Sequence, residues 1–172
     1  MIGKWIGAGL LVMGCFLYGY FLALEIRKRR EELQYLGQLL IFLKSEITYK
    51  RASLEDACQH MARQARAPYE ECFLTMNKQM KLEGQTFEDT WKAALKAMVQ
   101  KTWLKEEDVH CIEEIALFGG VWDITLLIGL LDRSMEEVAR QIEYLDQEYE
   151  KKGKTYLYLG GCTGIGLVIL LV

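Results

Sequence analysis

A chain of 172 residues with a net charge of -3 and a pI near 5.5 holds one modest domain and is not a basic nucleic-acid-binding protein. It is 51% hydrophobic and 11% aromatic with a single proline, which excludes a disordered, collagen-like or proline-rich chain. The mean hydropathy is near zero, yet all 24 acids and 20 of the 21 bases (Lys4 is the exception) lie between Glu25 and Lys154.

Trp5 to Leu24 is a run of 20 uncharged residues. That is the length needed to cross about 30 Å of hydrocarbon as a helix. Trp5, Tyr18 and Tyr20 sit near its ends, where amphipathic rings favour the membrane interface. A cleaved signal peptide would carry positive charge before the run and a small-x-small site after it. Here only Lys4 precedes the run and Arg27-Lys28-Arg29-Arg30 follows it, so residues 5–24 are predicted to be an uncleaved transmembrane helix.

Leu33, Leu36, Leu39, Leu40, Leu43 and Ile47 recur at helical spacing and predict a helix from about Glu25 to Tyr49, continuous with the first span. Lys50-Arg51-Ala52 breaks the pattern. Ser53, with Asp56 three residues on, is a predicted N-cap for a second helix lined by Leu54, Ala57, Cys58, Met61, Ala62 and Ala65. Pro68 is expected in the first turn of a third helix, with Tyr69, Cys72, Phe73, Met76 and Met80 as its stripe and Gly84 as its stop.

Thr86-Phe87-Glu88-Asp89 repeats the start signal 33 residues after Ser53-Leu54-Glu55-Asp56. Phe87, Trp91, Ala94, Leu95 and Met98 line that fourth helix, and Trp91 is expected in the core. A fifth runs from about Lys105 to Phe118 through Val109, Ile112, Ile115 and Ala116, ended by Gly119-Gly120. Asp123 is expected to cap a sixth, reaching about Lys152 with Met135, Val138, Ile142, Leu145 and Tyr149 as its stripe. Within it Ile124 to Leu131 is too short to span a bilayer; a buried strand there would have no partner strand. The fold class is therefore all-α, a bundle of about six helices. Two helical hairpins are too few for a solenoid.

Thr155 to Val172 is a second uncharged run, of 18 residues, preceded by Lys151, Lys152 and Lys154. Basic clusters mark the cytoplasmic side of a span. The sequence thus predicts a transmembrane helix at 5–24, a cytoplasmic bundle at 25–154 and a second transmembrane helix at 155–172, with both termini outside. Gly3 with Gly7 and Gly160 with Gly164 form GxxxG pairs, which allow close helix packing in lipid, within one chain or between copies in a homo-oligomer.

Charge is uneven along the middle. Glu106 to Glu150 holds 13 acids and two bases, Arg133 and Arg140, a balance of -11; Lys44 to Lys105 holds 11 bases and eight acids, a balance of +3. Glu136, Glu143 and Asp146 fall on one face of the sixth helix and form the candidate partner-binding face. The alternative is a solvated bundle face without a partner.

No constellation for chemistry is found, so no catalytic residue, cofactor or metal is assigned. Cys15, Cys58, Cys72, Cys111 and Cys162 are odd in number and lack CxxC spacing, which reads as free thiols. His60 with Cys58 and His110 with Cys111 do not share a helix face as metal ligands would. Gly153-Lys154-Thr155 has Glu148 where a phosphate loop needs glycine. Glu46 and Asp123, at helix boundaries, read as capping groups.

The order of several short motifs resembles the stage III sporulation protein AB family. Leu43-x-x-Glu46-Ile47-x-Tyr49 followed by Ser53-Leu54-x-x-Ala57, Thr86-Phe87-x-x-x-Trp91-x-x-Ala94-Leu95, Leu104-x-x-Glu107-Asp108 with Phe118-Gly119, and Tyr156-x-Tyr158-Leu159-Gly160 carry the resemblance across the chain. Ser53 stands where the family has proline, and Ile124-Thr125-Leu126-Leu127 stands where it has polar residues. The family is similar to the cytoplasmic domain of type II secretion F proteins. The resemblance implies a six-helix, non-enzymatic platform in the transenvelope complex that links mother cell and forespore. It places the protein in the mother-cell membrane around the forespore, docked to a secretion-type ATPase, stage III sporulation protein AA, beside other membrane components. A membrane-anchored regulatory or signalling adaptor outside sporulation is the alternative reading.

The charge flanks generate a topology test. A reporter or labelled cysteine at Arg66 should report cytoplasm, and a fusion after Val172 should report the outside. A middle region found on the external side of the membrane would overturn the two-span reading.

Overall fold

The computed structural model describes residues 2–82, 84, 86–118 and 124–149. The run Thr155–Val172, the basic residues before it, the Gly119-Gly120 stop and the Asp123 cap lie outside the described residues, as do the side chains at 2–12, 15, 16 and 118. Among the described residues there are six α-helices and no strand: α1 (Ile2–Lys50), α2 (Leu54–Gln64), α3 (Tyr69–Gln79), α4 (Phe87–Lys101), α5 (Glu106–Glu113) followed by a 3-10 turn (Glu114–Phe118), and α6 (Ile124–Glu148). The all-α expectation holds. The backbone of the first uncharged run lies within α1, and among the described residues no helix is long and apolar enough to cross a membrane.

The chain divides into two compact units, residues 31–142 and residues 1–30 with 143–172. In the first, the expected α1 stripe is the core: Leu33, Leu36, Leu39, Leu40, Leu43 and Ile47 are all buried. The helix ends where Arg51 enters the left-handed region at φ 51°, a conformation that halts helical hydrogen bonding. Ser53 then caps α2 as its sequence predicts. Its hydroxyl accepts from the Asp56 N–H at 3.1 Å and donates to the Asp56 carboxylate at 2.8 Å. Thr86 does the same for α4 with Asp89, at 3.1 and 2.6 Å. These caps satisfy N–H groups that have no intrahelical partner. Successive helices α2 and α3, α3 and α4, and α4 and α5 pack against one another.

Several boundaries differ from expectation. Pro68 is the N-cap of α3 rather than a first-turn residue. The helix stops at Gln79, because the N–H groups of Lys81 and Leu82 tighten the last turn onto Lys78 and Gln79 carbonyls. Gly84, at φ 86°, turns the chain beyond that end rather than stopping the helix. The fifth helix narrows to 3-10 geometry after Glu113. The run Ile124 to Leu131 is helical, with Leu127 and Leu131 buried and Ile124 and Leu126 exposed. The buried residues of α6 are Leu127, Leu131, Ser134, Val138 and Leu145, while Met135 and Ile142 are half-buried and Tyr149 is exposed.

Trp91 is 2% exposed, stacks on Phe87 with centroids 5.7 Å apart, and donates its indole N–H to the Ile112 carbonyl at 3.0 Å. It therefore joins α4 to α5 by packing and by a buried hydrogen bond. Trp91→Ala is expected to lower stability by about 3–5 kcal/mol, the range for emptying a large aromatic from a core. Denaturant unfolding followed by circular dichroism measures this. A midpoint unchanged by the substitution would be inconsistent with that role.

Candidate functional site

The expected partner-binding residues all lie on α6. Glu136 and Glu143 are exposed. Asp146 is partly exposed and forms a salt bridge with Arg30 in the unit of residues 1–30 and 143–172. Its charge is thus compensated, which distinguishes it from the other two. Glu136 falls in the unit of residues 31–142 and Glu143 in the other.

Within residues 31–142, α5 and α6 enclose an open cleft of about 270 Å³ lined by Glu107, His110, Glu114, Arg133, Ser134 and Glu137 among others. Ser134 closes one wall by donating to the Cys111 carbonyl at 2.8 Å. This satisfies a polar group inside a buried stripe. Arg140 pairs with Glu137 one helical turn away. Asp108 is fully buried and accepts from the Lys105 N–H at 2.8 Å, so it caps α5 and has no surface role. Glu106 and Glu114 are exposed. Three carboxylates thus rim a cleft with one arginine in its wall. Such a surface favours cationic groups and repels phosphate.

A second cluster was not legible as such in the sequence. Glu46, read as a capping group, is instead a buried acid, 2% exposed. Its two carboxylate oxygens meet Lys50 Nζ at 2.6 Å and His60 Nδ1 at 2.7 Å. Burying a carboxylate is costly unless it is paired and hydrogen-bonded, and both conditions are met. The Lys50 bond first and the His60 bond second hold the Glu46 carboxyl below its ordinary range, against the opposing effect of burial. The Glu46–Lys50 half has the i,i+4 spacing of a helix pair. The His60 half depends on how α2 folds back on α1, which no local spacing encodes.

A third cluster ties α3 to α1. Glu32 accepts from Tyr69 Oη at 2.8 Å and from Arg66 Nη2 at 3.0 Å. The Arg66 guanidinium lies 4.1 Å from the Tyr35 ring centroid, and the Arg66 N–H donates to Tyr35 Oη at 2.7 Å. Burial, then the bond to Glu32, pushes the Tyr69 phenol well above its usual range. It therefore serves as a hydrogen-bond donor and not as a base.

Cys58 and Cys72 are buried free thiols and Cys111 is half-buried. Burial pushes all three up, Cys111 to about 11, which makes them poor nucleophiles at neutral pH. No group of three or more His, Cys, Asp or Glu side chains placed to hold a metal ion occurs among the described residues.

Comparison with known proteins fixes the family. The family model for stage III sporulation protein AB matches residues 4–172. Stage III sporulation protein AB of Bacillus subtilis (strain 168) is 22% identical over 169 residues, covering 98% of this chain and 99% of that protein. A solved structure of a stage III sporulation protein AB superposes with a TM-score of 0.62 at 19% identity, over 71% of this chain and 96% of the other. The chain belongs to the stage III sporulation protein AB family, and a role in sporulation follows from that membership.

The Glu46 cluster generates a pH test. A carboxylate whose folded-state pKa is depressed contributes stability that is present above its unfolded value and is lost as pH falls through the folded value. The ordinary value is 4.5. Wild type and Glu46→Gln should therefore differ most in denaturant midpoint above that pH and converge progressively below it. A difference that does not change with pH would mean that the carboxylate charge contributes nothing.

Proposed function

We propose that this protein is a non-enzymatic membrane platform of the sporulation transenvelope complex and docks a cytoplasmic secretion-type ATPase of the stage III sporulation protein AA kind. Residues 5–24 and 155–172 anchor it in the mother-cell membrane surrounding the forespore, and residues 25–154 form the cytoplasmic bundle. Two uncharged runs, each flanked by basic residues on the side of the middle region, support the anchoring. The similarity to stage III sporulation protein AB over nearly the whole chain supports the setting.

The observation that carries the docking reading is the placement of the acids. Glu106, Glu114 and Glu136 are exposed on α5, the 3-10 turn and α6 within residues 31–142, and Glu143 is exposed in the other unit, all in a stretch whose balance is -11. Asp108 in the same stretch is buried and caps α5, whereas these four carboxylates face solvent. An acidic surface of this kind attracts a basic protein and is repelled by anionic lipid. Opposite potentials chiefly speed encounter and set orientation, so binding weakens as salt shortens the Debye length.

Reversing Glu136 and Glu143 to Lys tests the docking. Asp146 is left intact because its charge is already compensated by Arg30. With helicity unchanged by circular dichroism, affinity for the ATPase should fall at least about tenfold and its salt dependence should flatten. Binding that keeps both its strength and its salt slope places the contact elsewhere.

A further inference from the structure

In the unit of residues 31–142 the outward side of α1 differs from that of the other described helices. A helix turns by about 100° per residue, so Gln34, Gln38, Ile41, Ser45 and Thr48 form one row on the side away from the buried Leu33–Ile47 stripe. Gln34, Gln38, Ile41 and Thr48 are exposed and Ser45 is half-buried. Ile41 is 61% exposed, and Tyr49, beside the end of the row, is 85% exposed. The row carries no charge over about 21 Å of helix. The charged residues of the same stretch are turned elsewhere: Lys44 pairs with Asp132, and Glu46 is buried against Lys50 and His60. A bundle helix ordinarily sets charge opposite its core face. The other described helices of the unit do so, with Arg63 exposed on α2, Glu70 on α3, Lys96 on α4, Glu106 on α5 and Glu136 on α6.

The spacing and chemistry of the row fit a second copy of the same row. Its steps of four, three, four and three residues are those of a coiled-coil seam, which stays turned toward a neighbouring helix. A surface that meets itself across a two-fold axis opposes each side chain to the same set on the other copy. Acidic faces such as that of α5 and α6 are then penalised by like charge. The α1 row carries no such penalty. Gln34 and Gln38 each hold an amide that both donates and accepts, so two copies can satisfy one another. Ser45 and Thr48 are small enough for close approach, and their hydroxyls can bond to their own helix carbonyls. Ile41 stands halfway between Gln34 and Thr48. It therefore meets its own counterpart whether the two helices run parallel or antiparallel, and supplies the apolar contact.

We propose that the Gln34–Thr48 row of α1 is a homodimer interface, covered by the same row of a second copy of this chain. The row offers no continuous apolar surface to lipid and no charge to a basic or acidic protein. A short seam with one isoleucine gives a dimer that depends on concentration. The proposal is independent of the docking reading, which uses α5 and α6.

The test uses the purified full chain in mild detergent, its mass followed by sedimentation across a concentration series. A concentration-dependent dimer is expected. Ile41→Glu opposes two carboxylates and Ile41→Lys two ammonium groups, and each should weaken association at least about tenfold. Position 41 is exposed, so circular dichroism should show helicity unchanged. An equal mixture of the two variants should restore the dimer, because position 41 then meets the opposite charge. Association through the uncharged runs at 5–24 and 155–172 would give no such rescue. In a second measurement, a photo-activated benzoylphenylalanine replaces Ile41. It should crosslink to a product of twice the chain mass, whereas the same probe at Glu136 should not. This measurement introduces no charge and keeps the test decisive if the charge variants lose helicity. A chain that stays monomeric at every concentration overturns the proposal. So does a dimer as strong in both charge variants as in the wild type, or a mixture that shows no rescue. A crosslink from position 41 to a product of any other mass would put a different protein on the row and refute the second copy.

Discussion

The stripe of Leu33, Leu36, Leu39, Leu40, Leu43 and Ile47 on α1 is the constraint on which the unit of residues 31–142 depends. None of these six side chains is more than 7% exposed. Full burial of each such side chain contributes about 1.5–3 kcal/mol. Packing of this face, rather than helix propensity, therefore fixes the orientation of α1. The polar groups beside the stripe then meet defined partners: Glu32 meets Arg66 and Tyr69, Lys44 meets Asp132 at 2.6 Å, and Glu46 meets His60. These groups sit on α2, α3, α6 and the links between them. The apolar face sets the register and the polar pairs select it, because a rotated α1 would part Glu46 from His60 and Glu32 from Tyr69.

Local rules made part of this legible in sequence. Ser53 with Asp56 and Thr86 with Asp89 announce helix starts because the chemistry of a cap lies within four residues. The stripes of α1, α2 and α4 announce themselves because their buried residues are apolar and regularly spaced. The face of α6 was harder to read. Ile124 to Leu131 is apolar on every side and so carries no period, and the buried row beyond it includes a serine. Ser134 belongs in that row only because the Cys111 carbonyl, from another helix, accepts its hydrogen bond. The same holds for Glu46. Its partner on α2 is 14 residues away, and a carboxylate near a helix end resembles a cap until the turn that returns His60 is known.

The charge of the Glu106 to Glu150 stretch illustrates the difference between composition and surface. Its balance of -11 suggests one uniform acidic face, but the acids divide by role. Asp108 is sealed in a cap, Asp132 is held by Lys44, Glu137 by Arg140 and Asp146 by Arg30. The exposed remainder includes Glu106, Glu114 and Glu136 in the unit of residues 31–142 and Glu143 in the other unit. Counting charges along a sequence locates an acidic region; only burial and pairing show which of its carboxylates can act at a distance.

The Arg30–Asp146 pair joins the basic stretch after the uncharged run to the acidic stretch of α6. Both side chains are more than a third exposed, and ion pairs in such positions contribute little to stability, about 0–1 kcal/mol. The pair is therefore better understood as a device for placing charge than as a clamp. Leu145, next to it in sequence and 2% exposed, supplies apolar packing that the ion pair cannot. With packing left to Leu145, Asp146 is available to fix the Arg30 guanidinium, and with it the last residue of the basic stretch that follows the uncharged run.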